Sequence, residues 1–509
     1  MLSRLTNRQR TTIWGLLLTV LVSGALSTLA GADYEKTARW KAWPSSRMPK
    51  PLEARPVTFP PYEIRTLANG LKVVVVTQHE QPAVSLRMIV RAGAANDPQG
   101  RAGLANMVAS LLDQGTATRS AGDVAEAIDY IGGALGAGAG TDLSFVNAIV
   151  MKDNFADGLT LLSDVARTPA FAPQEIERQR DQVVSALGVN AGDPEWVADA
   201  VIDRLIYGFH PYGLPGAGTA TSVAAITRDD IVAFHQRWYA PNNAILAIVG
   251  DLSLDEAFAG AERVFSGWAR RDVPAVRASE APDATRRVIV VDRPGAVQTE
   301  IRVGNVAIPR KHADYEALDL AVKVLGGEGA NRIQRVLRSE RGLTYGASAD
   351  IQALKQTGGI VAETDTRSET TGEALRLVVD EFFRLQREPV FELELADAQA
   401  YLTGNFPLTI ETPDAIALQV LNVLFYDLDV KDLETYRARV NAIKSDDIQR
   451  VARGYLKPAR LSIVLVGDAR LIEPQLKSVG FGEFERVPIE RLDLTAPNFL
   501  RPATAGGAH

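Results

Sequence analysis

ITRDDIVAFHQRWYAPNNAILAIVGD, residues 226–251, and IKSDDIQRVARGYLKPARLSIVLVGD, residues 443–468, are two versions of one pattern. An offset of 217 superposes Ile226 on Ile443, Asp230 on Asp447, Pro241 on Pro458 and Gly250-Asp251 on Gly467-Asp468; Tyr239 and Tyr455 match one residue short of it. In the first copy a helix is predicted over Thr227–Tyr239, leading into a strand over Ala244–Val249. Ala83-Val84 and Ala296-Val297 open comparable strands at the front of each half. A pattern repeated once at about 215 residues predicts two similar α+β domains, because solenoid repeats recur every 20–50 residues or so.

Working outward, Leu71–Thr77 (LKVVVVT) reads as a buried strand after an Asn69-Gly70 turn, with Val84–Arg91 as its partner. Leu104, Met107, Val108, Leu111 and Leu112 recur at helical spacing within Gly103–Leu112. A strand over Leu143–Val150 is followed by helices near Asp153–Arg167 and Pro173–Val189, the latter with proline in its first turn. The first domain is therefore expected over 62–268 and the second over 287–490. The charged, Pro- and Ala-containing stretch 269–286 joins them, and a tail covers 491–509.

Before Tyr62 the chain changes character. Arg4, Arg8 and Arg10 precede an apolar run from Ile13 to Leu29, and Ala30-Gly31-Ala32 offers small residues for cleavage before Asp33. Residues 1–32 read as a secretory signal, which places the protein beyond the inner membrane, in the periplasm, or tethers it there if the segment is retained as an anchor. Cleavage removes three arginines and no acids, taking the formal charge from −7 to −10. Six prolines between Pro44 and Pro61 make 33–61 an extended arm, with Trp40 and Trp43 available to pack on the body. With 46% hydrophobic and 23% charged residues the remainder is globular, and no other stretch approaches membrane-spanning length without charges. The acidic balance leaves no electrostatic footprint for nucleic acid. The absence of cysteine excludes disulfides, thiolate nucleophiles and cysteine metal sites.

NGLKVVVV, VRAGAANDPQGRAGLANMVASLLDQGT, HPYGLPGAGT, the 226–251 run and RSERGLTYGASA occur in the order and spacing of the pitrilysin/insulinase metallopeptidases. The chain resembles their short two-domain, processing-peptidase-like branch over residues 62–490. That resemblance implies two homologous α/β-roll domains, each an antiparallel-rich mixed sheet flanked by helices, enclosing a chamber. In active members it implies a zinc on an inverted H-x-x-E-H helix. Histidines at i and i+4 share a helix face and a metal, and the glutamate between them serves as base to a zinc-bound water.

Here the matching positions hold Asn106, Ala109 and Ser110. On the downstream helix the resemblance places Ala186 at the third ligand and Gln179 at the accessory glutamate. An amide, a hydroxyl and two methyl groups neither hold zinc nor activate water. The five histidines, His79, His210, His235, His312 and His509, include no pair spaced to share a helix face. No metal and no cofactor is expected in this chain. What the resemblance keeps is Arg338 and, seven residues on, Tyr345. In active members this pair holds the substrate backbone and stabilises the oxyanion, a task for which guanidinium and phenol donors are suited. Read without the family, Arg338 is an exposed helix residue near Glu340 and Tyr345 a strand residue facing the core; Arg341 is the neighbour most easily confused with Arg338.

The function implied is that of the non-metal subunit of a heterodimeric peptidase, with Arg338 and Tyr345 as its catalytic and substrate-binding groups. The zinc belongs to a partner homologue that carries H-x-x-E-H, and the substrates are peptides. The alternative is an inactive peptide-binding or assembly scaffold. Smaller signals carry less. Gly136–Gly140 lacks the spacing and lysine of a phosphate loop and reads as a strand edge. Gly326–Gly329 reads as a loop, His210 as a structured-loop histidine and Asp113 as a helix-end residue.

Overall fold

The computed structural model describes residues 58–275, 283, 285–327 and 331–502. The signal segment, most of the proline-rich arm with Trp40 and Trp43, part of the 269–286 connection, Glu328-Gly329 and the last seven residues lie outside the described residues. The chain divides at Pro56, and the fold below is that of the unit beginning at Val57.

Two six-stranded mixed sheets organise it. The first contains β1 (Tyr62–Thr66), β2 (Lys72–Thr77), β3 (Ala83–Val90), β4 (Ala134–Ala139), β5 (Ser144–Met151) and β6 (Ala244–Gly250), in the order β1-β2-β6-β3-β5-β4. The second contains β7 (Val288–Asp292), β8 (Gln298–Ala307), β9 (Ala347–Ala353), β10 (Gly358–Arg367), β11 (Ser462–Gly467) and β12 (Glu485–Pro488), in the order β12-β7-β11-β8-β10-β9. Five strands of each sheet correspond slot for slot. In both, the strand that ends the repeated segment runs parallel to the first central strand and antiparallel to the next. Only the outermost strand differs: β1 enters from the start of its half and lies antiparallel to β2, whereas β12 comes from the end of the chain and lies parallel to β7.

The repeated aspartates have a local purpose. The carboxylate of Asp230 accepts from the Thr227 N–H at 2.9 Å, and that of Asp447 accepts from the Lys444 N–H at 3.0 Å. Each reaches back from the first turn to satisfy an N-terminal donor of the helices Arg228–Trp238 and Ser445–Tyr455.

The helices that matter most for the site are four. They are α1 (Leu104–Ser110), α2 (Pro173–Asn190), α3 (Pro194–Tyr207) and α4 (Pro413–Phe425). α3 and α4 are counterparts. Asp193 and Thr412 cap them through side-chain oxygens that accept from Glu195 N and Ala415 N, and a proline follows each cap. Left-handed Gly208 (φ 59°) and Asp427 (φ 54°) close them.

Each of these helices packs on the sheet of the other half. The inner face of the first sheet (Val73, Val75, Leu86, Met88, Leu246, Ile248) meets its own helices. The opposite face (Val74, Val76, Ile245, Val249) is covered by Ile416, Val420, Leu421 and Leu424 of α4. Reciprocally, Ile289, Val291, Val464 and Val466 of the second sheet are covered by Val197, Val201, Ile202 and Leu205 of α3. β6 and β11 are therefore buried on both faces, which is why AILAIVG and SIVLVG are continuous apolar runs rather than alternating ones. The tail contributes too: Leu494 and Phe499 join the cluster around α3.

Ile202→Ala should lower the unfolding free energy by about 2–5 kcal/mol. Although Ile202 belongs to the first half, hydrogen exchange should accelerate most in β7 and β11 of the second. Equal acceleration confined to β2 and β6 would contradict the exchange of helices.

Candidate functional site

α1 is the helix that the resemblance marks for the metal. Its entry is forced by Gly103, whose φ of 93° and approach to the Ala217 carbonyl (2.6 Å from where a Cβ would stand) exclude a side chain. The carboxylate of Asp97 then accepts from the N–H groups of Gly103, Leu104 and Ala105 at 2.8, 3.2 and 2.8 Å. Burial pushes Asp97 up to about 7, against the three donors that hold it down.

Asn106 and Ser110 lie four residues apart on α1, both half-buried, and Ser110 Oγ donates to the Met107 carbonyl at 3.1 Å. Ala109 is fully enclosed. α2 packs against α1 through one core that includes Leu104, Met107, Ile176 and Leu187. Arg178, in the second turn of α2, donates to Gln114 beyond the end of α1. Ala186 is exposed and Gln179 half-buried. The donor set on this helix pair is an amide, a hydroxyl and a second amide, and it does not fit zinc. Among the described residues no group of three or more His, Asp or Glu side chains is placed to hold a metal ion.

Arg338 and Tyr345 are brought together. The guanidinium lies 4.7 Å from the centroid of the Tyr345 ring, a cation–π contact. Arg338 lies within a widened helical turn (Arg335–Glu340), and Gly342 (φ 62°) follows before the chain brings Tyr345 alongside. Arg338 is exposed, and Tyr345 is 83% exposed rather than a core strand residue. The neighbours are otherwise engaged: Glu340 pairs with Arg335 at 3.6 Å and Arg341 with Glu373 at 3.9 Å.

Beside this pair opens a cavity of about 620 Å³ whose wall includes Gln334, one turn before Arg338, and Gly346, next to Tyr345. Its floor was not legible in the sequence. Arg302 of β8, 2% exposed, donates to Asp199 of α3 at 2.6 Å and to Glu300 at 3.2 Å, with Glu363 at 3.8 Å. Burial opposes the charge on Arg302, but Asp199, Glu300 and Glu363 together hold it above its ordinary value. Burial also raises Glu300, against the pull of Arg302. Glu195 of α3 and Asp365 of β10 complete an acidic lining. Glu195 and Asp199 lie more than a hundred positions before the strand residues and meet them only because α3 crosses to the second sheet. On the next turn of α3, burial and then the charge of Asp199 push Asp203 up to about 7.

Of the lesser signals, Gly136–Gly140 falls on and just after β4, an edge strand paired only with β5, where a Cβ on Gly138 would strike the Phe145 ring. His210 is buried in its loop, with Nδ1 accepting from Tyr212 N at 3.2 Å. Asp113 accepts from Gln114 just beyond α1. No single described helix is long and apolar enough to cross a membrane.

The raised Asp203 carries a pH signature. A carboxyl whose folded value exceeds its unfolded one gives the folded state extra protons, so its contribution is fully present below about pH 4 and is lost as pH rises through about 7. Asp203→Asn should therefore melt higher than the parent at pH 8 and alongside it at pH 4. Parallel melting curves across that range would contradict the burial of this carboxyl.

The sequence and the fold were compared with known proteins. Residues 72–219 match the family model "Insulinase (Peptidase family M16)" and residues 225–402 match "Peptidase M16 inactive domain". An uncharacterised zinc protease of Mycobacterium bovis is 26% identical over 441 residues, spanning 85% of this chain and all of that one. The crystal structure of a peptidase M16 inactive domain from Pseudomonas fluorescens superposes with a TM-score of 0.76 at 26% identity, covering 80% of this chain and 98% of the other. A Helicobacter pylori protease shares the fold, with a TM-score of 0.76 at 23% identity over 81% of this chain and all of that one. Matched by family models in both halves and superposing on a solved M16 relative over 80% of its length, the chain belongs to the insulinase family of peptidases, family M16.

Proposed function

We propose that this chain is the non-metal subunit of a two-subunit M16 peptidase. One observation carries the reading: Asn106, Ala109 and Ser110 stand where a metal and its base would be held, while Arg338 and Tyr345 remain side by side and open to solvent. The partner is a homologue with an intact H-x-x-E-H, and the zinc is the partner's. Arg338 and Tyr345 bind the substrate backbone and donate to the oxyanion that forms when the partner's water attacks. Such donors act by being aimed in advance at developing charge. The substrates are peptides in extended form. Edge strands β4 and β9 each have one unpaired side, which suits main-chain pairing with such a chain. The signal segment places the pair outside the inner membrane.

Co-expression with an H-x-x-E-H homologue tests this. The chain alone should cleave no peptide and bind no stoichiometric zinc, while the pair should cleave. Arg338→Ala or Tyr345→Phe should lower turnover of the pair by about tenfold to a hundredfold while leaving the complex intact on gel filtration. Full turnover in both variants removes the proposed role of these residues. A stable pair without peptidase activity favours the scaffold reading instead.

A further inference from the structure

Three arginines are almost wholly buried among the described residues: Arg204, Arg302 and Arg332. Two are neutralised. Arg302 has its carboxylates, and Arg332 makes a two-pronged pair with Glu394 at 2.6 and 2.7 Å. Arg204, at the last turn of α3 and 5% exposed, has no carboxylate within ion-pairing distance among the described residues. Its Nε donates to the Leu494 carbonyl at 3.0 Å. Its guanidinium lies 3.7 Å from the centroid of the Phe209 ring and 5.8 Å from that of Phe499. A second cation, Arg287, lies 5.4 Å from the same Phe499 ring, but it is itself paired with Glu485 through two bonds of 2.9 Å, so that carboxylate is already taken. Burial, and then Arg287, push Arg204 below its ordinary value. A buried cation without a counter-ion is costly, and the usual remedy is a paired anion.

The surroundings indicate which anion. Arg204 lines a cavity of about 550 Å³ between the 94–102 loop, the 208–222 loop and the C-terminal segment at 494–495. Most of the remaining wall is apolar, including Pro98, Phe209, Pro211, Leu214 and Leu494. Phe209 stays 72% exposed, held over the guanidinium rather than in a core. Asp97 borders the same cavity with its carboxylate already engaged by three N–H groups, and it disfavours a second negative charge nearby. The volume lies in the range that encloses a small organic molecule.

We propose that this cavity binds a monocarboxylate with an apolar body, its carboxylate paired with the free edge of the Arg204 guanidinium and its body against Phe209, Pro211, Leu214 and Leu494. A planar guanidinium fork suits a carboxylate, and one uncompensated positive charge suits one negative charge. The site is independent of the peptidase reading, since it shares no residue with Arg338, Tyr345 or α1.

The test is calorimetric titration of the whole chain with 3-phenylpropanoate and with its neutral isostere 3-phenylpropanamide. The acid should bind and the amide should bind at least about tenfold more weakly, as expected for a charge-assisted pair. Arg204→Gln should weaken the acid by at least about the same factor. Because Arg204 also holds Leu494, a second variant guards against misfolding: Gln99→Trp fills the exposed rim, should keep the ligand-free melting midpoint, and should still abolish binding. N-acetyl-alanyl-phenylalanine against its C-terminal amide separates two sources of the same chemistry. Tighter binding of the peptide acid than of 3-phenylpropanoate identifies a peptide C-terminus as the ligand, and weaker binding identifies a free small acid. Equal affinity for acid and amide, undiminished binding in both variants, or no binding of either acid at about 10 mM overturns the proposal.

Discussion

Each half of this protein supplies the lid of the other half's sheet, and the rest of the architecture depends on that exchange. A sheet with apolar residues on both faces cannot stand in water with one face bare. α3 and α4 each bury a row of aliphatic side chains at about 1.5–3 kcal/mol apiece, gross of the entropy of ordering them. Neither half is therefore complete by itself. Further ties cross the junction: Tyr212 of the first half donates to Asp142 at 2.6 Å, and Asp142 accepts in turn from the Lys355 N–H of the second at 2.8 Å. The two halves are thus joined through shared buried clusters as well as by the chain between them.

The sequence made the repeat legible because its residues do local work. The aspartate in the first helical turn, the proline before the strand and the apolar strand itself are each needed for reasons that act within a few residues. For the same reason four strands of the first sheet, β2, β3, β5 and β6, are legible to within a residue or two of their ends, whereas β1 is not. The helix exchange was not legible. α3 and α4 are ordinary capped apolar helices, and nothing in their spacing says which sheet they cover. The continuous burial of β6 and β11 was the available hint, since a strand facing solvent on one side would alternate. The acid-ringed Arg302 and the cavity at Arg204 were hidden for the same reason, both being consequences of where α3 goes.

The pair Arg338 and Tyr345 was found through family resemblance, not through chemistry visible in the chain. Spacing alone favoured an ordinary exposed arginine and a core tyrosine. The exposed tyrosine is the informative departure. A large aromatic ring 83% open to water, braced by a guanidinium that pairs with no acid among the described residues, gains little for stability. Its neighbours Arg335, Glu340 and Arg341 all settle into ion pairs.

The metal helix makes the complementary case. α1 keeps every feature that positions it: Gly103 in its left-handed turn, Asp97 on three backbone donors, and a buried face of Leu104, Met107 and Val108. Only the side chains that would have carried chemistry are of other types. Asn106 and Ser110 lie half-buried outside the row of Leu104, Met107 and Val108, so the identity of their side chains leaves that packing intact. An α1 without ligand side chains, together with Arg338 and Tyr345 held in contact, is what the proposed division of one reaction between two chains requires.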